Sequence, residues 1–531
     1  MNRIVTHPIS NEDSPIDFLW KHKDVMIVAP GSGPCVRGLY ARAYALDKLH
    51  QFMYCNTTPE DYILGNVEDK IRSTVLKSAT ISGVQVIIIY LSCLDILINL
   101  DFEELAGRLS AETGLLVKSF LRGPLAKKNP KYIPPEKYIT LLPEEKCEIP
   151  AGQVHQLPPA ASDLAGIADL LRYKESMNAL IAPKGCRICL RDSDLTESQL
   201  HQYVIESGEK DYIFGFEQTS IQQIVRAVAE NNYKNANVIS SAIPAFVGFD
   251  GEWVMNALES QNITGFQIPA DGFNDAVYGV SCASEMIVKF ESLKYKETVK
   301  EVLVTGYSPL LCGDKGQYAE QIAYIESLGY GVRFLGEKRG GKPALCWVVS
   351  TAGIRVARKL NEKWEIPVLI SCPVGEHASQ MWKKNVKELL AGYKETRMLC
   401  IHNHVIPETN QKKLLFIGDP VHTMALAHEC WHRGFHHIKL AAFARYPETA
   451  ILFKETPGAG EYLTIVEDIE TLKALWQEAD IVIADPQLRL GMPEKAFLPF
   501  PWGVISGRNA DQPGSGVLGK NILQGFDEVF A

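Results

Sequence analysis

At 531 residues the chain is too long for one hydrophobic core, and its 46% apolar and 22% charged composition is that of an ordinary globular protein. A formal net charge of −9 excludes a basic stripe able to neutralise nucleic-acid phosphates. Residues 1–15 are polar and lack the apolar stretch of a signal peptide, and the longest apolar run, 84–100, contains Gln85, Asp95 and Asn99. It falls short of the ~20 apolar residues that span a bilayer. These features predict a cytoplasmic protein with no membrane or nucleic-acid partner, whose twelve cysteines are free thiols or metal ligands rather than disulfides.

Short apolar runs alternate with helical patterns along nearly the whole chain, which predicts an α/β fold of several Rossmann-like parallel sheets. Residues 1–130 form a first module. It has a strand at 25–29 that leads into Gly33-Pro34-Cys35, and a β-branched strand, VIIIYLSC, that ends at Cys93. The proline-dense segment 131–172 predicts an extended connector. A third unit, 293–405, has predicted strands at 302–305, 332–335, 345–350 and 367–371. Its helices are predicted at 317–328, closed by Gly329, and at 354–364. The last unit, 406–531, has predicted strands at 414–420, 438–443, 480–485 and 503–506, with helices at 421–433 and 468–478.

Residues 173–292 repeat the first module. APGSGPC ending at Cys35 corresponds to APKGC ending at Cys186, DYILG at 61–65 to DYIFG at 211–215, and the strand before Cys93 to ANVISSA ending at Ala242. The spacing from Cys35 to Gly65 is 30 residues and from Cys186 to Gly215 is 29; from Gly65 to Cys93 it is 28 and from Gly215 to Ala242 it is 27. Cys55 then falls opposite Ile205, and Cys93 opposite Ala242. A repeat that keeps its scaffold and exchanges two thiols for aliphatic groups points to thiols with a chemical role, because thiolates are soft ligands for iron–sulfur clusters or zinc. The alternative is that cysteine packs in cores as a small hydrophobe and interchanges freely. Cys35 and Cys93, each following a strand, are expected at the carboxyl edge of one parallel sheet, where open α/β folds bind ligands. Cys55 is expected in a polar loop ahead of Pro59.

The order GPC, a second cysteine, DYILGN, a strand ending in Ser-Cys and then an acidic segment resembles nitrogenase component 1 and its relatives. ARKLNEKWEIPVLI at 357–370, and LLFIGDP followed by DIVIAD, extend the resemblance over most of the chain, with 173–292 as an extra copy of the cluster module. The resemblance implies that Cys35, Cys55 and Cys93 hold a 4Fe–4S or P-cluster-like group, with Cys186 of the second module as the fourth ligand. Cys186 and Cys189 as ordinary thiols is the competing reading. Cys346 lies out of register with the segment ending in Ile366-Pro367, and 500–509 has no histidine, so the ligands of the iron–molybdenum cofactor are missing. The chain therefore resembles the nitrogenase-like reductases, such as the dark-operative protochlorophyllide reductase and the nickel-tetrapyrrole reductive cyclase, more than nitrogenase proper. The expectation is an anaerobic iron–sulfur oxidoreductase that relays electrons from an ATP-dependent iron-protein reductase to a bound small-molecule substrate. It would act as a homodimer or as a heterodimer with a second component 1 chain. Asp95, beside Cys93, is a candidate proton donor, with an N-cap role as the alternative. A non-catalytic scaffold for metallocofactor assembly is a second functional reading.

A third comes from His428-Glu-Cys-Trp-His432, which matches the zinc-hydrolase pattern H-E-x-x-H: two histidines at i and i+4 on one helix face, Glu429 as base, and Glu455 as a possible further ligand. Against it, the helix reads as a crossover packed on a sheet. Gly336 to Lys342 imitates the start of a phosphate-binding loop, but Pro343 replaces the Ser/Thr and a strand follows. No nucleotide is expected to bind to this chain.

Overall fold

The β-branched runs that alternate with helical segments become four separate sheets, and every pair of neighbouring strands in them is parallel. The structure is a computed structural model that describes residues 14–98, 100–123, 126–171, 176–183, 202–207, 210–268, 270–293, 295–337, 340–399, 408–443, 455 and 462–507. The first sheet contains β1 (Val25–Gly31), β2 (Phe52–Asn56), β3 (Val86–Leu91) and β4 (Leu116–Leu121) in the order β2-β1-β3-β4. Every residue of β1 and of β3 is buried, as it must be when helices cover both faces of a parallel sheet.

The second sheet, β5 (Ser176–Pro183), β6 (Gln202–Ser207), β7 (Asn235–Ser240) and β8 (Gln267–Ile268), has the order β6-β5-β7-β8, which is the same topology. The duplication read from the sequence is therefore a duplication of fold. In both copies the third strand ends two residues before a short helix: β3 at Leu91 before helix Cys93–Leu97, and β7 at Ser240 before helix Ala242–Phe246.

β9 (Glu301–Thr305), β10 (Gly331–Phe334), β11 (Leu345–Val348), β12 (Val368–Ile370) and β13 (Thr396–Met398) form the third sheet, in the order β10-β9-β11-β12-β13. β14 (Leu414–Ile417), β15 (Ile438–Phe443), β16 (Leu463–Val466), β17 (Ile481–Ala484) and β18 (Ala496–Pro499) form the fourth, in the order β16-β15-β14-β17-β18. The helix Ile354–Trp364 lies where the sequence places it. The one predicted at 317–328 begins as a 3-10 turn, Lys315–Tyr318, and continues as Ala319–Ser327.

Two expectations are corrected. Residues 503–506 are not a strand: the edge beside β17 is taken by Ala496–Pro499, and Gly503–Ser506 coils into a helical turn. Its N-cap, Trp502, donates its backbone N–H to Asp485 Oδ2 at 2.8 Å. The segment 131–172 is not simply an extended connector. It contains helices Pro135–Tyr138 and Asp163–Leu170, and every residue of the second is buried. Ser162 caps that helix through Ala165 N–H, and Asp163 accepts from the N–H groups of Leu164 and Gly272.

Helix Asp163–Leu170 crosses helix Ala276–Ser292 at backbone contact. A Cβ on Gly166 would lie 2.2 Å from the Ala276 carbonyl oxygen, and one on Gly279 would lie 2.1 Å from that of Asp163. Both helices belong to one apolar cluster that runs on through the third and fourth sheets. Gly166→Ala and Gly279→Ala are each expected to cost about 1–3 kcal/mol by forcing this crossing apart. Thermal and denaturant unfolding read the loss, and an unchanged midpoint in both variants contradicts the close crossing.

Candidate functional site

β1 and β3 are neighbours in parallel register, with Val28 opposite Ile89, so the segments that leave their carboxyl ends emerge side by side. β1 runs out through Gly31 and Ser32 into helix Gly33–Ala45, where Pro34 fills the first turn and Cys35 N–H donates to Ser32 O at 3.0 Å. β3 runs out through Ser92, the N-cap of helix Cys93–Leu97. Gly31 lies between the two exits. A Cβ built on it would be 3.5 Å from Cys35 Cβ and 3.6 Å from Ser92 Cβ. Cys35 and Cys93 are both half-buried at this edge, as the sequence predicts.

Cys93 has a further constraint. Gly123, just past β4, has φ +92°, and a Cβ there would sit 2.6 Å from Cys93 Sγ. The backbone passes so close to this sulfur that only glycine fits, which forms a cradle for the thiol and whatever it binds. In the second module the position 30 residues after Ala242 is Gly272, with φ +73° and its virtual Cβ 3.3 Å from Ala242 Cβ. The cradle is thus present in both copies and holds a sulfur in one.

Cys55 departs from expectation. It is not in a loop but in β2, paired with Pro30, with its side chain in the core beside Met53 and Val28. Burial pushes its thiol up to about 12, against the opposing pull of a hydrogen bond with Thr74 on helix Val67–Ala79. Its counterpart Ile205 is likewise a core residue, in β6, so at this position the exchange of cysteine for an aliphatic residue is one of packing. Cys186 and Cys189 lie outside the described residues.

Beneath the edge lies a buried polar chain. Ser92 and Asp95 form a capping box, with Ser92 N–H donating to Asp95 Oδ2 at 2.6 Å. Asp95 Oδ1 accepts from the Tyr62 hydroxyl at 3.0 Å, which accepts in turn from Thr57 Oγ1 at 3.2 Å. Asp95 is fully buried, and desolvation raises its pKa against the pull of Ser92, Tyr62 and Arg122. The N-cap role weighed for Asp95 falls instead to Ser92; Asp95 is the N3 residue of the capping box and returns the bond to the cap's N–H. Tyr62 packs edge-on against Phe246 and Phe273 of the second module, and Gly33 approaches Asn274 O. The copy that lacks the Cys55 and Cys93 thiols thus roofs the one that has them. Sequence reasoning missed Tyr62, Gly123 and Arg122; the tyrosine stands in the DYI segment used to find the repeat, and its partner Asp95 was already singled out.

The donor set fits a soft metal group in part. Two thiols at one half-buried edge, with a glycine cradle over one of them, suit sulfur ligation, whereas Cys55 is buried in β2 opposite Pro30. Among the described residues there is no group of three or more His, Cys, Asp or Glu side chains arranged to hold a metal ion.

The HECWH segment lies on helix Pro420–His432, the crossover between β14 and β15. His428 is fully buried and Glu429 is 5% exposed. The Glu429 carboxylate lies between Arg433 Nε at 3.4 Å and His377 Nδ1 at 3.5 Å, close against Gly375. It is engaged in the packing of helix Gly375–Leu390. Glu455 pairs with Arg358 at 2.9 Å. Cys346, in β11, is fully buried beside Thr305, and burial pushes its thiol up to about 12. No helix among the described residues is long and apolar enough to cross a membrane. A cavity of about 880 Å³ opens between β2, the 155–160 segment and the fourth sheet, with Lys77, His155, Asp468 and Lys473 in its wall.

No family model and no curated protein matches the chain. Among solved structures, "Nitrogenase Cp1 at pH 6.5" is similar with a TM-score of 0.49 and 14% identity, over 74% of this chain and 96% of that one. "Nitrogenase Cp1 at pH 5" is similar with a TM-score of 0.48 and 13% identity, over 75% and 95%.

Iodoacetamide at neutral pH is expected to label Cys35 and Cys93 in the native protein well before Cys55, as read by peptide mass spectrometry, because only the first two are accessible. Equal labelling of Cys55 contradicts its placement in the core. Glu429→Ala is expected to destabilise the fold by about 1–3 kcal/mol, since Arg433 and His377 lose their partner. Loss of a peptidase activity in Glu429→Gln, with bound zinc retained, points instead to a hydrolase.

Proposed function

We propose that the chain is a nitrogenase-like iron–sulfur oxidoreductase that receives electrons from an ATP-dependent iron-protein partner and delivers them to a bound small molecule. The observation that carries this reading is the pairing of Cys35 and Cys93 at one sheet edge, under a glycine cradle that the second module keeps without its sulfur. Cys35 and Cys93 are the proposed ligands in the described part of the chain. A complete four-thiolate set needs others, and Cys186, the counterpart of Cys35, is the first candidate.

When bound, such a cluster supplies one-electron transfer. The chain's residues account for the rest. The helix Gly33–Ala45 begins at the edge, where the positive end of its dipole favours negative charge. Phe246, Phe273 and the Tyr62 ring exclude water from one side. Asp95, with its pKa raised by burial, and the Tyr62 hydroxyl hold a proton next to Cys93.

Two exposed apolar pairs support a docked partner. Ile63 and Leu64 are 75% and 70% exposed, and their counterparts in the repeat, Ile213 and Phe214, are 78% and 82% exposed. Matched pairs on duplicated modules suit a partner that is itself built of two like halves. The 880 Å³ cavity is of a size to take a small organic substrate.

Protein purified anaerobically is expected to be brown and to contain iron and acid-labile sulfide in equal amounts. Cys35→Ala and Cys93→Ala should each lose the chromophore, and Cys55→Ala should keep it. Colourless protein with stoichiometric zinc, after expression with iron supplied, overturns the reading. Turnover with a reducing iron protein and ATP separates an enzyme from an assembly scaffold.

A further inference from the structure

Arg122 is the residue of the first module that neither the cysteine pattern nor the proton chain explains. It follows β4 directly, with its backbone N–H bonded to Leu91 O at 3.1 Å and its Nε donating to Tyr90 O at 3.4 Å. The guanidinium lies 5.4 Å from the Tyr90 ring centroid. Its Nη2 is buried and has no hydrogen-bond partner among the described residues. That nitrogen points to the sheet edge: it lies 3.5 Å from a Cβ built on Gly31, the same point that is 3.5 Å from Cys35 Cβ and 3.6 Å from Ser92 Cβ. Gly123, the next residue in the chain, is the one that cradles Cys93 Sγ. Leaving a guanidinium donor buried and unanswered is costly, so the position makes sense when something negative completes it.

The duplicated module supplies an independent comparison. Arg122 stands 29 residues after Cys93 and directly before Gly123, and Asp271 stands 29 residues after Ala242 and directly before Gly272. Where the thiol is present the flanking charge is positive, and where it is absent the charge is negative. Asp271 serves its own turn there, accepting from Phe273 N–H at 3.0 Å and Asn274 Nδ2 at 3.2 Å. The backbone cradle is common to both copies, and the charge follows the sulfur.

We infer that Arg122 is a positioning residue for an anionic group held at Cys35 and Cys93, to which it presents Nη2 as a charged hydrogen-bond donor. The identity of that group as an iron–sulfur cluster rests on the function proposed above; the anion preference of the edge does not. A guanidinium is suited to this role because it stays charged when partly buried and presents donors in a fixed plane. Its field already reaches the neighbourhood, where it pulls the Asp95 carboxyl down against burial.

The test compares two alkylating agents on the full chain after chelation of any metal. Iodoacetate is an anion and iodoacetamide is neutral, and both consume the same thiolate, so the ratio of their rates at one cysteine reports local charge and cancels the thiolate fraction. At Cys93 and Cys35 the iodoacetate-to-iodoacetamide ratio is expected to fall several-fold in Arg122→Gln and to be largely kept in Arg122→Lys. The ratio at exposed Cys147 is expected to stay unchanged in both, and continued protection of buried Cys55 from either reagent reports that the variants remain folded. An unaltered ratio at Cys93 and Cys35 in Arg122→Gln overturns the inference. On iron-loaded protein, Arg122→Gln is expected to shift the reduction potential to a more negative value, because the reduced, more anionic state loses its counter-charge; an unchanged potential counts against it. Wild-type protein without iron but with a several-fold change in ratio overturns the cluster reading and leaves the anion site standing.

Discussion

The parallel pairing of β1 with β3 is the constraint from which the rest of the site follows. Because these two strands are adjacent and run the same way, the chain must leave both at the same edge and cross back over the sheet between them. Two helix starts therefore lie side by side, and the residues that open them, Cys35 and Cys93, become neighbours although they are far apart in sequence. The same rule places β4 beside β3, so the first residues after β4, Arg122 and Gly123, arrive at that edge too. A sulfur pair, a glycine that admits the sulfur and a cation are thus collected by strand order alone. Side-chain chemistry then decides what the edge holds.

Much of this was legible in the sequence, for reasons that can be named. The alternation of apolar runs with helical segments gave the parallel sheets, because strands covered on both faces must be apolar throughout. The repeat was visible because DYI, the proline-flanked turn and the strand spacing survive in both copies. What was not legible depended on contacts between distant segments. Cys55 looked like a loop residue because polar NTTPE follows it, yet β2 extends through it to Asn56 and buries its side chain. GVIS has the composition of a strand, but the edge it would have joined was already filled by Ala496–Pro499, and local composition carries no information about a rival for the same edge. The proline-rich 131–172 segment contained a wholly buried helix, because Gly166 and Gly279 let two backbones touch where ordinary side chains would hold them apart.

The HECWH segment is a motif whose residues match and whose context, a crossover helix packed on a sheet, is the one the sequence weighed against it. The i and i+4 histidines do face one another, with ring centroids 4.6 Å apart, and His377 stacks on His432 at 4.4 Å. Helical spacing alone guarantees the first of these contacts. A hydrolytic centre also needs its carboxylate turned to an open position beside a metal-bound water. Glu429 is instead held against Gly375 by Arg433 and His377, so the geometry that would make it a base is spent on joining two helices.

The two N-terminal modules separate the demands of folding from those of chemistry. Strand order, the glycine after the fourth strand, and the exposed apolar pair after the DYI aspartate are common to both. Cys93 and Arg122 are found only in the first, replaced by Ala242 and Asp271 in the second. Were the cysteines only small core residues, the neighbouring charge would have no reason to change with them. Cys55 behaves in that indifferent way: its replacement by Ile205 leaves one buried hydrophobe for another. Cys93 does not, because its exchange goes with a reversal of charge one residue before the cradle. The second module has not become a spacer on that account. Ile243, Phe246 and Phe273 pack into the first module's core and cover Tyr62, so the copy without a thiol at the Cys93 position forms one wall of the edge that has it.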